Sequence, residues 1–134
     1  MKNQARSEAD RWFQEAQYDL ETARYLAEGR RFNTACFVAQ QAAEKAVKAF
    51  LYAQGVEEPW GHSVATLLGE AATFDQSLGS IAELGAVLDK FYIPTRYPNS
   101  LPGSIPSRAY VAADADQAIG AAEQVLAAVR QRIG

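Results

Sequence analysis

Apolar residues recur at intervals of three and four along most of the chain, which is the spacing of one face of an α-helix. The first such stretch runs from about Ser7 to Glu28. A second begins after Asn33 or Thr34, either of which is a suitable N-cap, and ends near Ala53. The inward positions of the first stretch are Phe13, Ala16, Leu20, Ala23 and Ala27.

The second predicted helix is apolar on two sides. One side is almost entirely alanine, and the other carries Phe37, Val47 and Leu51. A helix of this kind lies at the centre of a bundle or contributes one side to a dimer, so we take these three residues as candidates for a dimer interface. The remaining face is expected to meet solvent; it carries Gln41, Glu44, Lys45 and Lys48.

Three further helical stretches follow. Ser63 is a suitable N-cap for a third helix that reaches about Phe74, and Ser80-Ile81-Ala82-Glu83 is typical of a capping box at the start of a fourth. A last helix begins near Asp114. No stretch has the alternating pattern of a strand. The prediction is therefore an all-α, up-and-down antiparallel bundle of four to five helices, in a single domain spanning residues 1–134.

A proline-rich segment, residues 93–113, separates the last two helices and has no helical or strand period. Loops of this length are uncommon in compact domains and are often functional. The segment contains Thr95-Arg96-Tyr97 and Arg108; arginine matches phosphate geometry, and tyrosine offers a face for stacking. We expect order near Thr95-Arg96-Tyr97. Two interpretations remain open: a strap that covers the end of the bundle, and a site that binds nucleotide or phosphate.

The composition and net charge of the chain limit the functions that it can have. The formal net charge is −3, so any contact with RNA or nucleotide needs a local basic patch. Cys36 is the single cysteine, which excludes an internal disulfide and favours a reducing compartment. No signal-peptide pattern and no membrane-spanning apolar run is present, so we expect a cytoplasmic protein that does not enter a membrane.

The sequence carries no standard catalytic or cofactor motif. His62 is the only histidine, which excludes sites that need two, and a lone histidine beside a helix start is usually a cap or a packing residue. Neither a Gly-x-x-x-x-Gly-Lys-Ser/Thr loop nor a Gly-x-Gly-x-x-Gly motif occurs. We therefore expect no metal and no cofactor, and assign no catalytic residue.

Two segments, FVAQQAAEKAVKAFL and YIPTRYPN, resemble the HEPN (higher eukaryotes and prokaryotes nucleotide-binding) domain family. The resemblance spans about residues 8–132 and is with a small prokaryotic branch that carries a Thr-Arg-Tyr-Pro loop. It implies an antiparallel bundle of four or five helices and a homodimer. It also implies a minimal nucleotidyltransferase as partner, often in a toxin–antitoxin pair.

Some members of this family are metal-independent RNases in which an arginine is followed after four to six residues by a histidine. Here the matching positions after Arg96 are Leu101, Pro102 and Gly103, so the general acid–base partner is missing. The first hypothesis is a non-catalytic module that binds a nucleotide or an RNA phosphate. The alternatives are a weak RNase that uses His62 across a dimer interface, and a pure protein-interaction bundle.

Overall fold

The structure, a computed structural model, describes residues 2–133; Met1 and Gly134, the ends of the predicted domain, lie outside it. Across this range the chain is helical and contains no strand, which confirms the all-α prediction. Short 3₁₀ segments occupy Gln76–Ile81 and Pro98–Ser100. The α-helices are α1 (Lys2–Glu28), α2 (Phe32–Ala53), α3 (Val64–Ala72), α4 (Ala82–Asp89), α5 (Pro106–Ala109) and α6 (Ala112–Ile133).

The long helices pack antiparallel to α1. In the α1–α2 pair, Lys45 lies 2.6 Å from Asp19, while the rings of Tyr52 and Trp12 are 5.4 Å apart. The order of these contacts is reversed along the two helices, as expected for helices joined by a three-residue turn. α6 is also antiparallel to α1, because Arg24 pairs with Glu123 whereas Arg130 lies over the ring of Phe13. Consequently α2 and α6 run parallel to each other, and the 93–113 segment returns the chain to the end from which α6 starts.

Helix α2 is the central helix of the bundle. Residues predicted to lie on its solvent-exposed face and at a dimer interface are buried in the structure. Val47 and Leu51 are fully buried within the single chain, so neither side chain is available to a second copy. Glu44 and Lys48, expected to face solvent, are buried beside each other with Nζ 3.0 Å from the carboxylate. Periodicity could not predict this, since elements distant in sequence cover α2 on its polar side as well.

The start of α3 confirms the predicted cap and adds a partner from α4. The Ser63 hydroxyl accepts a hydrogen bond from the Thr66 N–H, as expected of an N-cap. The Asp89 carboxylate accepts further hydrogen bonds from the Ser63 hydroxyl and from the N–H groups of Val64 and Ala65. These bonds join the first turn of α3 to the last residue of α4.

Two other predicted helix starts are wrong. α2 begins at Phe32 after Arg31, which forms no side-chain cap, so neither Asn33 nor Thr34 is the N-cap. α4 begins after Ile81, and Ser80 lies within the preceding 3₁₀ segment, where its hydroxyl donates to the Ser77 carbonyl. The capping box is therefore absent, because the 3₁₀ segment passes directly into α4.

The 93–113 segment is more regular than its prolines suggested. Pro98 and Pro106 stand at the first turn of the 3₁₀ segment and of α5, and α6 begins at Ala112, two residues before the predicted Asp114. Proline is compatible with the first helical turn because no hydrogen bond is expected from that nitrogen. Among the described helices, none is both long enough and apolar enough to cross a membrane.

Candidate functional site

The Thr95-Arg96-Tyr97 segment is anchored from both sides. The Thr95 hydroxyl donates to the Phe91 carbonyl at 2.6 Å, and the Asn33 side-chain amide donates to the Thr95 carbonyl at 3.1 Å. Thr95 is fully buried. The main-chain carbonyl of Thr95 therefore holds the segment against the start of α2, while its buried side chain bonds to Phe91 and is not available to a ligand.

With the segment anchored in this way, Arg96 lies at the surface, and its guanidinium contacts three aromatic rings. The guanidinium carbon lies 4.3 Å from the ring centroid of Phe37, 4.8 Å from Tyr92 and 5.2 Å from Tyr97. Its Nε donates to the Tyr92 carbonyl at 2.9 Å. These contacts fix the orientation of the guanidinium by cation–π attraction and one hydrogen bond.

The charge of Arg96 is not cancelled locally. Within residues 2–133 no carboxylate forms an ion pair with Arg96, and its terminal nitrogens make no hydrogen bond to another described residue. An oriented guanidinium with two free terminal nitrogens matches a phosphate or carboxylate, which it can bind through two parallel hydrogen bonds.

His62 joins this surface from the α2–α3 connection, whose residues 54–63 run back along α2. The imidazole stacks on Tyr92 with ring centroids 5.3 Å apart and planes at 17°. Its Nδ1 lies 3.2 Å from the buried Glu44 carboxylate. Tyr92 thus contacts both the histidine and Arg96. We call His62, Tyr92, Arg96, Tyr97 and Phe37 the aromatic–cation surface.

Only some of the predicted site residues lie in contact with one another. Tyr97 is half exposed and contacts Arg96, as a ligand-facing residue would. Arg108 is exposed on α5, and no ion pair or aromatic contact in the described chain links it to Arg96. Phe37, predicted as a dimer residue, is part-buried and packs on Tyr92 and Arg96.

Sequence reasoning missed the His62–Glu44 pair. The two residues are eighteen positions apart and lie on different elements, so no spacing rule connects them. The one local signal was the Gly61-His62-Ser63 turn, in which Gly61 has a φ of 101° that favours glycine. That signal identifies a turn but not its neighbours.

Other groups with reactive potential offer no site. Burial raises the pKa of the Cys36 thiol to about 12, and the nearby Asp114 carboxylate contributes to the rise, so this cysteine is not a nucleophile near neutral pH. No cluster of three or more metal-binding side chains occurs in the part of the chain that the structure describes.

Comparison with known proteins identifies the family of this chain. The HEPN domain model matches residues 9–132. TT1696 from Thermus thermophilus is similar at 36% identity and a TM-score of 0.87, over 92% of this chain and 97% of that one. An archaeal HEPN homologue, ST0689, is 38% identical with a TM-score of 0.79, over 95% of this chain and 98% of its own.

A third similar structure is an HEPN domain protein, tm0613, from Thermotoga maritima. It is 30% identical with a TM-score of 0.71, over 90% of this chain and 95% of that one. A search of curated proteins gave no match. The family model and these structures agree over nearly the whole chain, and the chain therefore belongs to the HEPN domain family.

Proposed function

We propose that this HEPN domain is a non-catalytic module that binds the phosphate of a nucleotide or an RNA through Arg96. The observation that carries the proposal is the oriented guanidinium, held by three aromatic rings and free of a carboxylate partner among the described residues. Tyr97, half exposed beside it, offers a face on which a base can stack. Thr95 supports the site by anchoring the segment.

The test compares two exposed arginines that both lie over aromatic rings. Arg96→Gln is expected to weaken binding of a fluorescein-labelled oligouridylate by about 10- to 100-fold, because a charge-assisted hydrogen bond contributes about 1.5–3 kcal/mol. It should also reduce the dependence of log K on log salt by about 0.7, one phosphate contact on a single strand. Fluorescence anisotropy measures both quantities.

Arg130→Gln is the matched control, since Arg130 lies over the Phe13 ring on the α1–α6 side of the bundle. It should bind as the unmodified chain does. If the Arg96→Gln variant binds the oligouridylate as tightly as the unmodified chain does, and its circular dichroism spectrum is unchanged, the proposal is wrong. The affinity of the Arg108→Gln variant for the same oligouridylate shows whether α5 contributes to the site.

The module is proposed to act as a homodimer with a minimal nucleotidyltransferase, as a toxin–antitoxin-like pair. Membership of the HEPN family supports this part of the proposal. Affinity purification of the tagged chain at its native level, with mass spectrometry of the eluate, tests it. A nucleotidyltransferase recovered in stoichiometric amount is the expected result; its absence from repeated preparations contradicts the partnership.

One observation favours a second function, metal-independent RNA cleavage. His62 and Arg96 contact the same tyrosine within one chain, so a histidine need not come across a dimer interface. Cleavage of labelled RNA in the presence of EDTA, lost in His62→Ala, would support this function. An intact panel of structured and unstructured RNAs after long incubation would exclude it.

A further inference from the structure

A shallow groove follows the junction of α1 and α2 on the outside of the bundle. At its centre the rings of Trp12 and Tyr52 are in contact, with centroids 5.4 Å apart. On one side of this pair lies a cleft of about 570 Å³ between the start of α1 and the end of α2, and on the other side a hollow of about 310 Å³. We call this surface the α1–α2 groove; it is bordered by Glu8, Trp12, Glu15, Lys45, Tyr52 and Glu57.

The connection that follows α2 forms one rim of this groove. Pro59 is buried, whereas its neighbours Glu58 and Trp60 are exposed. Trp60 is 86% exposed, the largest exposed fraction among the large apolar side chains of the described chain. Tryptophan and tyrosine are enriched at the residues that dominate protein–protein binding energy, so exposed rings beside a groove favour a protein as the ligand.

The charges around the groove do not balance. Three carboxylates on this side of the bundle pair with a neighbouring cation: Glu8 with Arg11 at 3.1 Å, Asp19 with Lys45 at 2.6 Å, and Glu44 with Lys48 at 3.0 Å. Three further carboxylates are exposed and form no ion pair among the side chains that the structure describes: Glu15, Glu57 and Glu58. The groove therefore has a net negative charge.

These three carboxylates lie next to the aromatic pair. Glu57 lines the same cleft as Tyr52, and Glu15 lines the hollow beside Trp12. Burial raises the pKa of the Tyr52 hydroxyl, and the nearby carboxylates of Glu8 and Glu58 raise it further, so Glu58 also acts on this end of the groove. A cation placed here gains attraction from the face of a ring and from a carboxylate at the same time.

We propose that the α1–α2 groove binds a basic segment of a partner protein, whose arginine or lysine side chains lie against the Trp12–Tyr52 pair and bind the unpaired carboxylates. The complementary charge is what selects this partner, because an acidic segment or a nucleic acid would be repelled by the same carboxylates. This binding is independent of the proposed function, since neither Arg96 nor RNA takes part in it.

The two openings of the groove define the spacing of the cations in such a segment. Along α1 they are bordered by residues 4–8 and 11–15, so their midpoints are about seven residues, or about 10 Å, apart. A peptide in the polyproline II conformation rises about 3.1 Å per residue and has three residues per turn. Cations at positions i and i+3 therefore lie on one side of the peptide, about 9 Å apart, and can enter both openings.

Two fluorescein-labelled tetrapeptides of the same composition, Arg-Pro-Pro-Arg and Arg-Arg-Pro-Pro, test this spacing. Fluorescence anisotropy at low ionic strength, where exposed charges are least screened, gives their affinities. Arg-Pro-Pro-Arg is expected to bind about fivefold more tightly. The double change Glu15→Gln and Glu57→Gln should weaken its binding about tenfold, as expected when two exposed charge contacts are lost.

The matched control is the double change Glu70→Gln and Glu83→Gln, which alters the net charge equally at exposed positions of α3 and α4. It should leave the affinity for Arg-Pro-Pro-Arg unchanged, and circular dichroism verifies that both double variants are folded. Equal weakening by the two double changes would show attraction to the net charge alone, and the groove would not be the site. Equal affinity of the two peptides would contradict the spacing and hence the proposed mode of binding.

Three results would assign the groove to another occupant and overturn the proposal. Spermidine that binds as tightly as Arg-Pro-Pro-Arg would indicate a small polyamine. Loss of self-association on the Glu15→Gln and Glu57→Gln change, measured by light scattering, would indicate a second copy of this chain. Displacement of a labelled oligouridylate by Arg-Pro-Pro-Arg would indicate RNA.

Discussion

The Asp89 carboxylate shows how one side chain can join two helices. It lies at the end of α4 and accepts from the Val64 N–H at 2.7 Å, the Ala65 N–H at 3.1 Å and the Ser63 hydroxyl at 2.7 Å. These N–H groups belong to the first turn of α3, where no intrahelical acceptor exists. A negative charge at this position also interacts favourably with the helix dipole.

We predict that Asp89→Asn lowers the free energy of unfolding by about 1–3 kcal/mol, the usual cost when a charge-assisted acceptor is lost from part-buried donors. Urea denaturation followed by circular dichroism measures it. Asp10→Asn is the control, since Asp10 is exposed on α1. An effect of Asp89→Asn no larger than that of the control would show that water replaces the carboxylate.

At the scale of elements, the contact of α3 with α4 depends on a glycine. A Cβ added to Gly85 would lie 2.6 Å from the Ala65 nitrogen and 2.7 Å from its Cα, distances that backbone atoms do not tolerate. The absence of a side chain at Gly85 is what lets α4 approach the start of α3, and therefore what brings Asp89 within hydrogen-bond distance.

We predict that Gly85→Ala lowers the free energy of unfolding by about 1–3 kcal/mol or more, the typical cost of overpacking. Gly120→Ala is the matched control, because Gly120 lies within α6 and an added Cβ meets nothing within 4 Å. That substitution should stabilise the protein by about 0.4–1 kcal/mol. Thermal unfolding of the two variants should thus shift in opposite directions, and shifts of the same sign would contradict this account.

At the scale of the whole molecule, exposed aromatic residues on α1 are our candidates for the interface of the proposed homodimer. Tyr18 and Tyr25 stand seven residues apart on the outer face of α1 and are 63% and 75% exposed. Residues at this spacing lie on one side of a helix. Val47 and Leu51 are fully buried, so they cannot serve this purpose.

We predict a homodimer that the double change Tyr18→Ser and Tyr25→Ser converts to a monomer, because burial of these rings would be a main source of association energy. Light scattering coupled to size-exclusion chromatography gives the mass directly. Phe74→Ser is the control, as Phe74 is 48% exposed but follows α3 rather than lying on α1. A dimer that survives the double change would place the interface elsewhere.

The candidate site could be predicted from sequence only in part. Arg96 and Tyr97 were identifiable because a long proline-rich segment that carries arginine and tyrosine is unusual in a compact bundle. The role of Thr95 was not, since a threonine hydroxyl can bond either to a ligand or to a nearby backbone carbonyl. Its hydroxyl could be assigned only once its Phe91 partner and its burial were known.

Local pattern by itself determined the helical class, the extents of α1, α2 and α3 to within a few residues, and the Ser63 cap, since periodicity and capping depend on neighbours a few positions apart. Only the tertiary structure decided that Glu44 and Lys48 are buried, that Asp89 caps α3, and that His62 and Arg96 meet at Tyr92. Each of these depends on groups from separate elements, and their approach is set by packing, which no spacing along the chain encodes.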